Sequence, residues 1–136
     1  LSQLKKLDRF AAARRRLVAR YDAALAPLAP TVRPAGRVPD CTVAWHLYTT
    51  LVDFDTAGTS RAEVMNGLRA RGIGTQVHYI PVPSQTYYKR LYGDADLPGA
   101  QAYYARALTL PLFPAMTDGD VDRVAEALAT VMEIAA

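Results

Sequence analysis

GIGTQVHYIPV, residues 72–82, decides how the middle of this chain folds. Within it, IGTQVHYI (73–80) alternates branched and aromatic residues with small and polar ones, between Gly72 and Pro81. That pattern predicts a strand. Alternate side chains of a strand share a face, so Ile73, Thr75, Val77 and Tyr79 point one way and Gly74, Gln76, His78 and Ile80 the other. The second set is partly polar, and Gly74 leaves room for another group to approach. Pro81 and Pro83 stop the strand and stiffen its end. A histidine and a glutamine on a rigid strand end suit an anionic or hydroxyl-rich ligand. They also suit a hydrogen-bonded contact between sheet and helix, and the residues alone favour that structural role.

Working outward, SRAEVMNGLRARG (60–72) predicts a helix, with Ser60 and Glu63 as a capping box and Gly72 as its C-terminal glycine. VAWHLYTTLVDF (43–54) and ALTLPLF (107–113) predict two further strands; Pro111 marks the second as an edge or an early end. Residues 84–92 and 98–107 predict two short tyrosine-rich helices, the second entered through Pro98. Thr117 and Asp120 cap a final helix lined by Val121, Val124, Leu128, Val131 and Met132. At the other end, Leu1, Leu4, Leu7, Phe10, Leu17, Val18, Tyr21 and Leu25 form the stripe of a long helix over 1–28. PLAPTVRPAGRVPD (27–40), with four prolines and a glycine, predicts a connector. The order α, β, α, β, αα, β, α implies an α/β layered domain of about three strands covered by helices. It divides into helix 1–28, a linker over 29–42 and a small domain over 43–136.

Composition narrows the function classes. The 136 residues are 51% hydrophobic and 21% charged, the balance of one globular domain. A single cysteine, Cys41, excludes an internal disulfide and fits a cytoplasmic setting. No apolar run is long enough to span a bilayer, and no secretory pattern opens the chain. The chain starts on Leu1, already inside a helical pattern, which implies a piece of a longer protein. The net charge of +3 draws on Lys5–Lys6 and Arg14–Arg16. Such clusters suit phosphates, but no nucleic-acid module accompanies them, and a solvated helix face accounts for them better.

No glycine-rich phosphate loop, nucleophile elbow or metal-spaced cluster of His, Cys and carboxylates is present. The lysines are Lys5, Lys6 and Lys89, all in polar helical contexts that would not activate an amine. His46 shares its expected strand face with Ala44, Tyr48 and Val52, which favours a packing role. Tyr87–Tyr88 and Tyr103–Tyr104 diverge around their helices by about 100° within each pair, so one member of each is expected in the core.

LSQLKKLDRF, AWHLYTTLVDF, GIGTQVHYIPV followed by Gln85 and Tyr87–Tyr88, and LTLPLFPAMTDGDVDRV follow one another in an order that is itself informative. Together they resemble the C-terminal part of sugar-nucleotide aminotransferases of the DegT/DnrJ/EryC1/StrS family. The nearest likeness is to the subgroup acting on UDP-4-keto-6-deoxy-N-acetylhexosamines in pseudaminic acid biosynthesis. The resemblance covers essentially the whole chain; VHYIPV and LPLFPAMT are its most specific blocks.

It implies the small C-terminal domain of the aspartate-aminotransferase fold. It further implies a homodimeric enzyme with pyridoxal 5'-phosphate and its lysine on a preceding domain, and transfer of an amino group, usually from glutamate, to the nucleotide sugar. His78 then matches a substrate-facing histidine, with Tyr79, Gln76 and His46 as further candidate substrate contacts. No catalytic, cofactor-holding or metal-binding residue is expected in this chain, and the chain alone is expected to be inert. Pro83 and Thr86 depart from the frequent family pattern IPVHLQPYY, so a contact made there by a second histidine is not expected. The competing reading is an interaction module led by the basic helix 1–28.

Overall fold

The computed structural model describes residues 1–133. A 3-10 turn at Leu4–Lys6 leads into α1 (Leu7–Leu25), and a second turn (Ala26–Leu28) ends it. Then follow β1 (Val32–Pro34), β2 (Tyr48–Val52), α2 (Arg61–Ala70), a 3-10 turn at Val82–Ser84, α3 (Thr86–Tyr92), α4 (Pro98–Arg106), β3 (Ala107–Leu110) and α5 (Asp118–Val131). The three strands form one antiparallel sheet in the order β1-β2-β3.

Both capping boxes form. Ser60 Oγ accepts from the Glu63 amide and Thr117 Oγ1 from the Asp120 amide, while each acid reaches back to the cap backbone. They satisfy amides that a helix start leaves without partners.

Alternation along β2 sorts the sheet into two faces. Tyr48, Thr50 and Val52 are buried, whereas Thr49 and Leu51 are half-buried. On the buried face Val52 lies opposite Val32, and Tyr48 opposite Leu110. Leu17, Tyr21 and Leu25 of α1, Val64 and Leu68 of α2, and Val121, Val124 and Leu128 of α5 join them in one core. The helix expected to lead into the domain is therefore part of its core. Arg20 fastens α1 to α5 through two bonds of 2.7 Å to Asp122, and Arg16 adds a bond to Asp118.

Two elements differ from the sequence expectation. The proline-rich stretch 27–40, and with it the linker 29–42, contains a strand: β1 pairs with β2, and the ladder extends through Ala35 N–H to Thr49 O at 2.9 Å. An edge strand tolerates proline because its outer side needs no donor. Conversely, 73–80 is not a strand. Among the described residues its backbone pairs with β3 at one bridge, where Gln76 and Thr109 exchange bonds of 3.1 and 2.8 Å.

The register explains why pairing stops there. The next bonded pairs would be Gly74 with Pro111 and His78 with Ala107. Pro111 has no amide, and its carbonyl already accepts from Tyr21 OH at 2.9 Å. Ala107 N–H closes the last turn of α4 on Tyr103 O.

The other strands are shorter than expected. β2 starts at Tyr48, so His46 lies on the preceding loop and not on a strand. The tyrosine pairs also differ from expectation: Tyr87, Tyr88 and Tyr103 are exposed and Tyr104 is half-buried, so none joins the core. Residues 134–136, the end of the expected 43–136 domain, lie outside the described residues.

Candidate functional site

The sheet face turned away from the core carries a row of polar side chains. Thr49 of β2 lies opposite Thr109 of β3, and Thr109 lies opposite Gln76. Partners opposite each other in a sheet share a face, and His78, two residues beyond Gln76, shares it too. Thr109 Oγ1 sits between two neighbours, Thr49 Oγ1 at 3.2 Å and His78 Nδ1 at 3.0 Å. Which atom donates in each contact depends on the imidazole tautomer. Among the described residues, no side chain or backbone group hydrogen-bonds the other ring nitrogen, Nε2. A half-buried imidazole, fixed at one nitrogen and free at the other, is suited to donate to or accept from a ligand oxygen.

Short clefts flank this row. One of roughly 370 Å³ is lined by Asn66, Arg69, Thr75 and Gln76; the other, of roughly 130 Å³, by Trp45, Tyr103 and Thr49. The second is shaped by a cluster on the loop before β2. Arg37 bonds Asp22 of α1 at 2.5 Å and stacks over Trp45 at 4.8 Å, and Asp22 also accepts from Tyr48 OH at 2.8 Å. The loop holding His46 is thus tied to the core helix on one side and to β2 on the other.

Of the residues singled out from the sequence, Gln76 and His78 come together on this face. Tyr79 packs edge-on against the His78 ring, with centroids 4.6 Å apart, and is 71% exposed. His46 is exposed on its loop, without a hydrogen bond or ring contact to the others among the described residues. Thr49, Thr109 and Trp45 were not singled out. The alternation of TTL and LTL could have marked both threonines as pointing away from the core.

Helices cover one face of the antiparallel sheet and the polar row lies on the other, a small α/β unit with the fold of the sugar aminotransferase structures that it matches. The DegT/DnrJ/EryC1/StrS aminotransferase family model matches residues 1–129, and the chain belongs to that family. It is 40% identical over 136 residues to the spore coat polysaccharide biosynthesis protein SpsC of Bacillus subtilis, covering 98% of this chain and 35% of that protein.

Two solved structures carry the same fold. Spr1654 of Streptococcus pneumoniae, described as a sugar aminotransferase and solved in its PLP form, gives a TM-score of 0.84 at 32% identity, over 98% of this chain and 34% of that one. Helicobacter pylori PseC, an aminotransferase of pseudoaminic acid biosynthesis, gives a TM-score of 0.87 at 26% identity, over 98% and 35%. The chain thus spans about a third of the length of its relatives. Among the described residues, no helix is long and apolar enough to cross a membrane, and no group of His, Cys, Asp and Glu could hold a metal ion.

Proposed function

We propose that this chain is the small C-terminal part of a pyridoxal-phosphate-dependent aminotransferase. The parent enzyme passes an amino group, supplied by glutamate, to a 4-keto-6-deoxy nucleotide sugar. The observation that carries the reading is the family match over residues 1–129, together with a polar face on which His78 is held at Nδ1 and open at Nε2. The coverage of about a third of each relative supports a larger parent, which we take to be a cytoplasmic homodimer.

On this reading the cofactor and its lysine belong to the rest of the parent enzyme. Lys5, Lys6 and Lys89 are exposed, and Lys89 pairs with Asp94 at 2.8 Å. None stands near the Thr109–His78 row in any hydrogen bond or ion pair among the described residues. When bound by the parent enzyme the cofactor supplies the electron chemistry, and the protein supplies position and electrostatics. In this division of labour the chain's part is recognition. His78 and Gln76 meet hydroxyl or phosphate oxygens of the nucleotide sugar, Tyr79 closes over them, and His46 makes an outer contact from its loop.

A purified polypeptide carrying this chain after its cofactor domain tests the reading. His78→Ala is expected to raise KM for the nucleotide sugar by about tenfold, the worth of one lost hydrogen bond to a charged group, with a smaller effect on kcat. An unchanged KM would remove His78 from the substrate site. The 136-residue chain alone is expected to form no stable lysine-linked cofactor absorbance, and such a band would contradict the reading.

A further inference from the structure

Thr109 stands at the centre of the polar row, between β2 and the 73–80 segment. Its amide and carbonyl both turn toward Gln76, with bonds of 2.8 and 3.1 Å. Toward β2 it therefore forms a non-hydrogen-bonded pair with Thr49, the kind in which side chains stand closest. That brings the two hydroxyls to 3.2 Å, while Thr109 Oγ1 also meets His78 Nδ1 at 3.0 Å. A β-branched side chain on a backbone held from both sides has little freedom to swing away.

Thr109 is 4% exposed, so water is not a ready partner for its hydroxyl. The one hydroxyl proton goes either to His78 Nδ1 or to Thr49 Oγ1. In the first arrangement Thr49 donates to Thr109 and Thr109 to an unprotonated Nδ1, which leaves the ring proton on Nε2. In the second, Nδ1–H donates to Thr109, Thr109 donates to Thr49, and Thr49 needs a further acceptor. Among the described residues Thr49 Oγ1 has no other hydrogen bond. The first arrangement uses both hydroxyl protons inside the row and leaves no donor stranded. It also gives the buried proton to the imidazole nitrogen, a stronger base than a hydroxyl oxygen.

We propose that Thr109 is a positioning residue that holds neutral His78 as the Nε2–H tautomer, with Thr49 donating into Thr109 from behind. The open ring nitrogen is then a hydrogen-bond donor. The group it selects is an acceptor oxygen, and a phosphate or carbonyl oxygen meets that need without a proton of its own. A group that only donates, such as an ammonium, finds no partner there. The tautomer stands on the row itself; that the acceptor belongs to a nucleotide sugar rests on the proposed function.

NMR of the chain with 15N-labelled histidine, at about pH 8 where an ordinary imidazole is neutral, reads the tautomer directly. His78 should show a protonated shift at Nε2 and an unprotonated, hydrogen-bonded shift at Nδ1. Thr109→Val should move both toward the values of the exposed His46, and Thr109→Ser should restore them. Thr49→Val should leave the proton on Nε2. A proton on Nδ1 in the parent chain, or unchanged shifts in Thr109→Val, would overturn the proposal. So would a proton that moves to Nδ1 in Thr49→Val, since Thr49 would then set the tautomer. The donor role has its own test in amino transfer by the longer polypeptide. His78→Gln, which carries an amide donor, should recover part of the about tenfold KM rise of His78→Ala. His78→Glu has the same shape and only accepts when ionised, so recovery equal to that of His78→Gln would overturn the donor role. A polypeptide inactive in that assay would count against the proposed function, while the ring shifts decide the tautomer by themselves.

Discussion

Thr109 has one hydroxyl proton and two neighbours placed to share its bonds, Thr49 and the His78 ring. Valine has nearly the same shape and no hydroxyl, so Thr109→Val strands both partners at once. The expected cost is about 1 kcal/mol in chemical denaturation, and Thr109→Ser should restore it. The ring nitrogens of His78, followed by NMR, should respond to Thr109→Val while those of His46 stay still. Equal responses, or none, would show that Thr109 does not hold the ring.

Tyr21 and Tyr48 give the core face its own titration. Their rings stack 4.5 Å apart, and burial is the main force raising both phenols well above the ordinary value. For Tyr48, acceptance of its hydrogen bond by Asp22 adds to the rise. Raised phenol pKa values mean that the folded state keeps its protons where the unfolded state has lost them. Stability is therefore fully present below a pH of about 10 and falls as pH rises past it. Urea midpoints measured at about pH 8 and pH 11 should drop less in Tyr48→Phe than in the parent chain. At this scale the shared face of His78 and Gln76 was legible in the sequence. Thr109 was not, because alternation gives a face but not what packs across it.

Gly67 shows how closely α2 and α5 approach. A Cβ built there would lie 2.7 Å from Val131 Cγ1, well inside contact distance, and valine's branched side chain has little freedom to yield. Alanine would gain about 1 kcal/mol of helix propensity, and overpacking costs about 1–3 kcal/mol. Gly67→Ala is therefore expected to destabilise, by about 1 kcal/mol net, and Val131→Ala should turn the same change into a gain. A stabilised Gly67→Ala single variant would show that the helices can separate freely. The helices were readable because each carries its own signals: the Ser60–Glu63 and Thr117–Asp120 boxes and the stripes of α1 and α5 are local. Strands depend on what lies beside them. β1 hid among prolines that an edge position tolerates, and 73–80 lost its ladder to Pro111 and to the last turn of α4.

As a whole the molecule buries one sheet face and leaves the other partly open, with an aromatic segment beside it. Tyr79, Tyr87 and Tyr92 are largely exposed, and α3 has no seat in the core. On the catalytic reading, the parent enzyme's cofactor domain and substrate meet this side. The family was legible because ordered blocks such as VHYIPV and LPLFPAMT run nearly the length of the chain. Of the candidate face, the sequence placed Gln76 and His78 together, but not the residues assembled with them across strands and loops.

The most direct test of the central claim is an amino-transfer assay on the longer polypeptide that carries this chain, with pyridoxal phosphate, glutamate and a UDP-4-keto-6-deoxy-N-acetylhexosamine. Conversion to the 4-amino sugar, with a KM raised about tenfold by His78→Ala, is the predicted result. Absence of an amino sugar from that substrate and from other 4-keto nucleotide sugars, with the cofactor demonstrably bound, would contradict it.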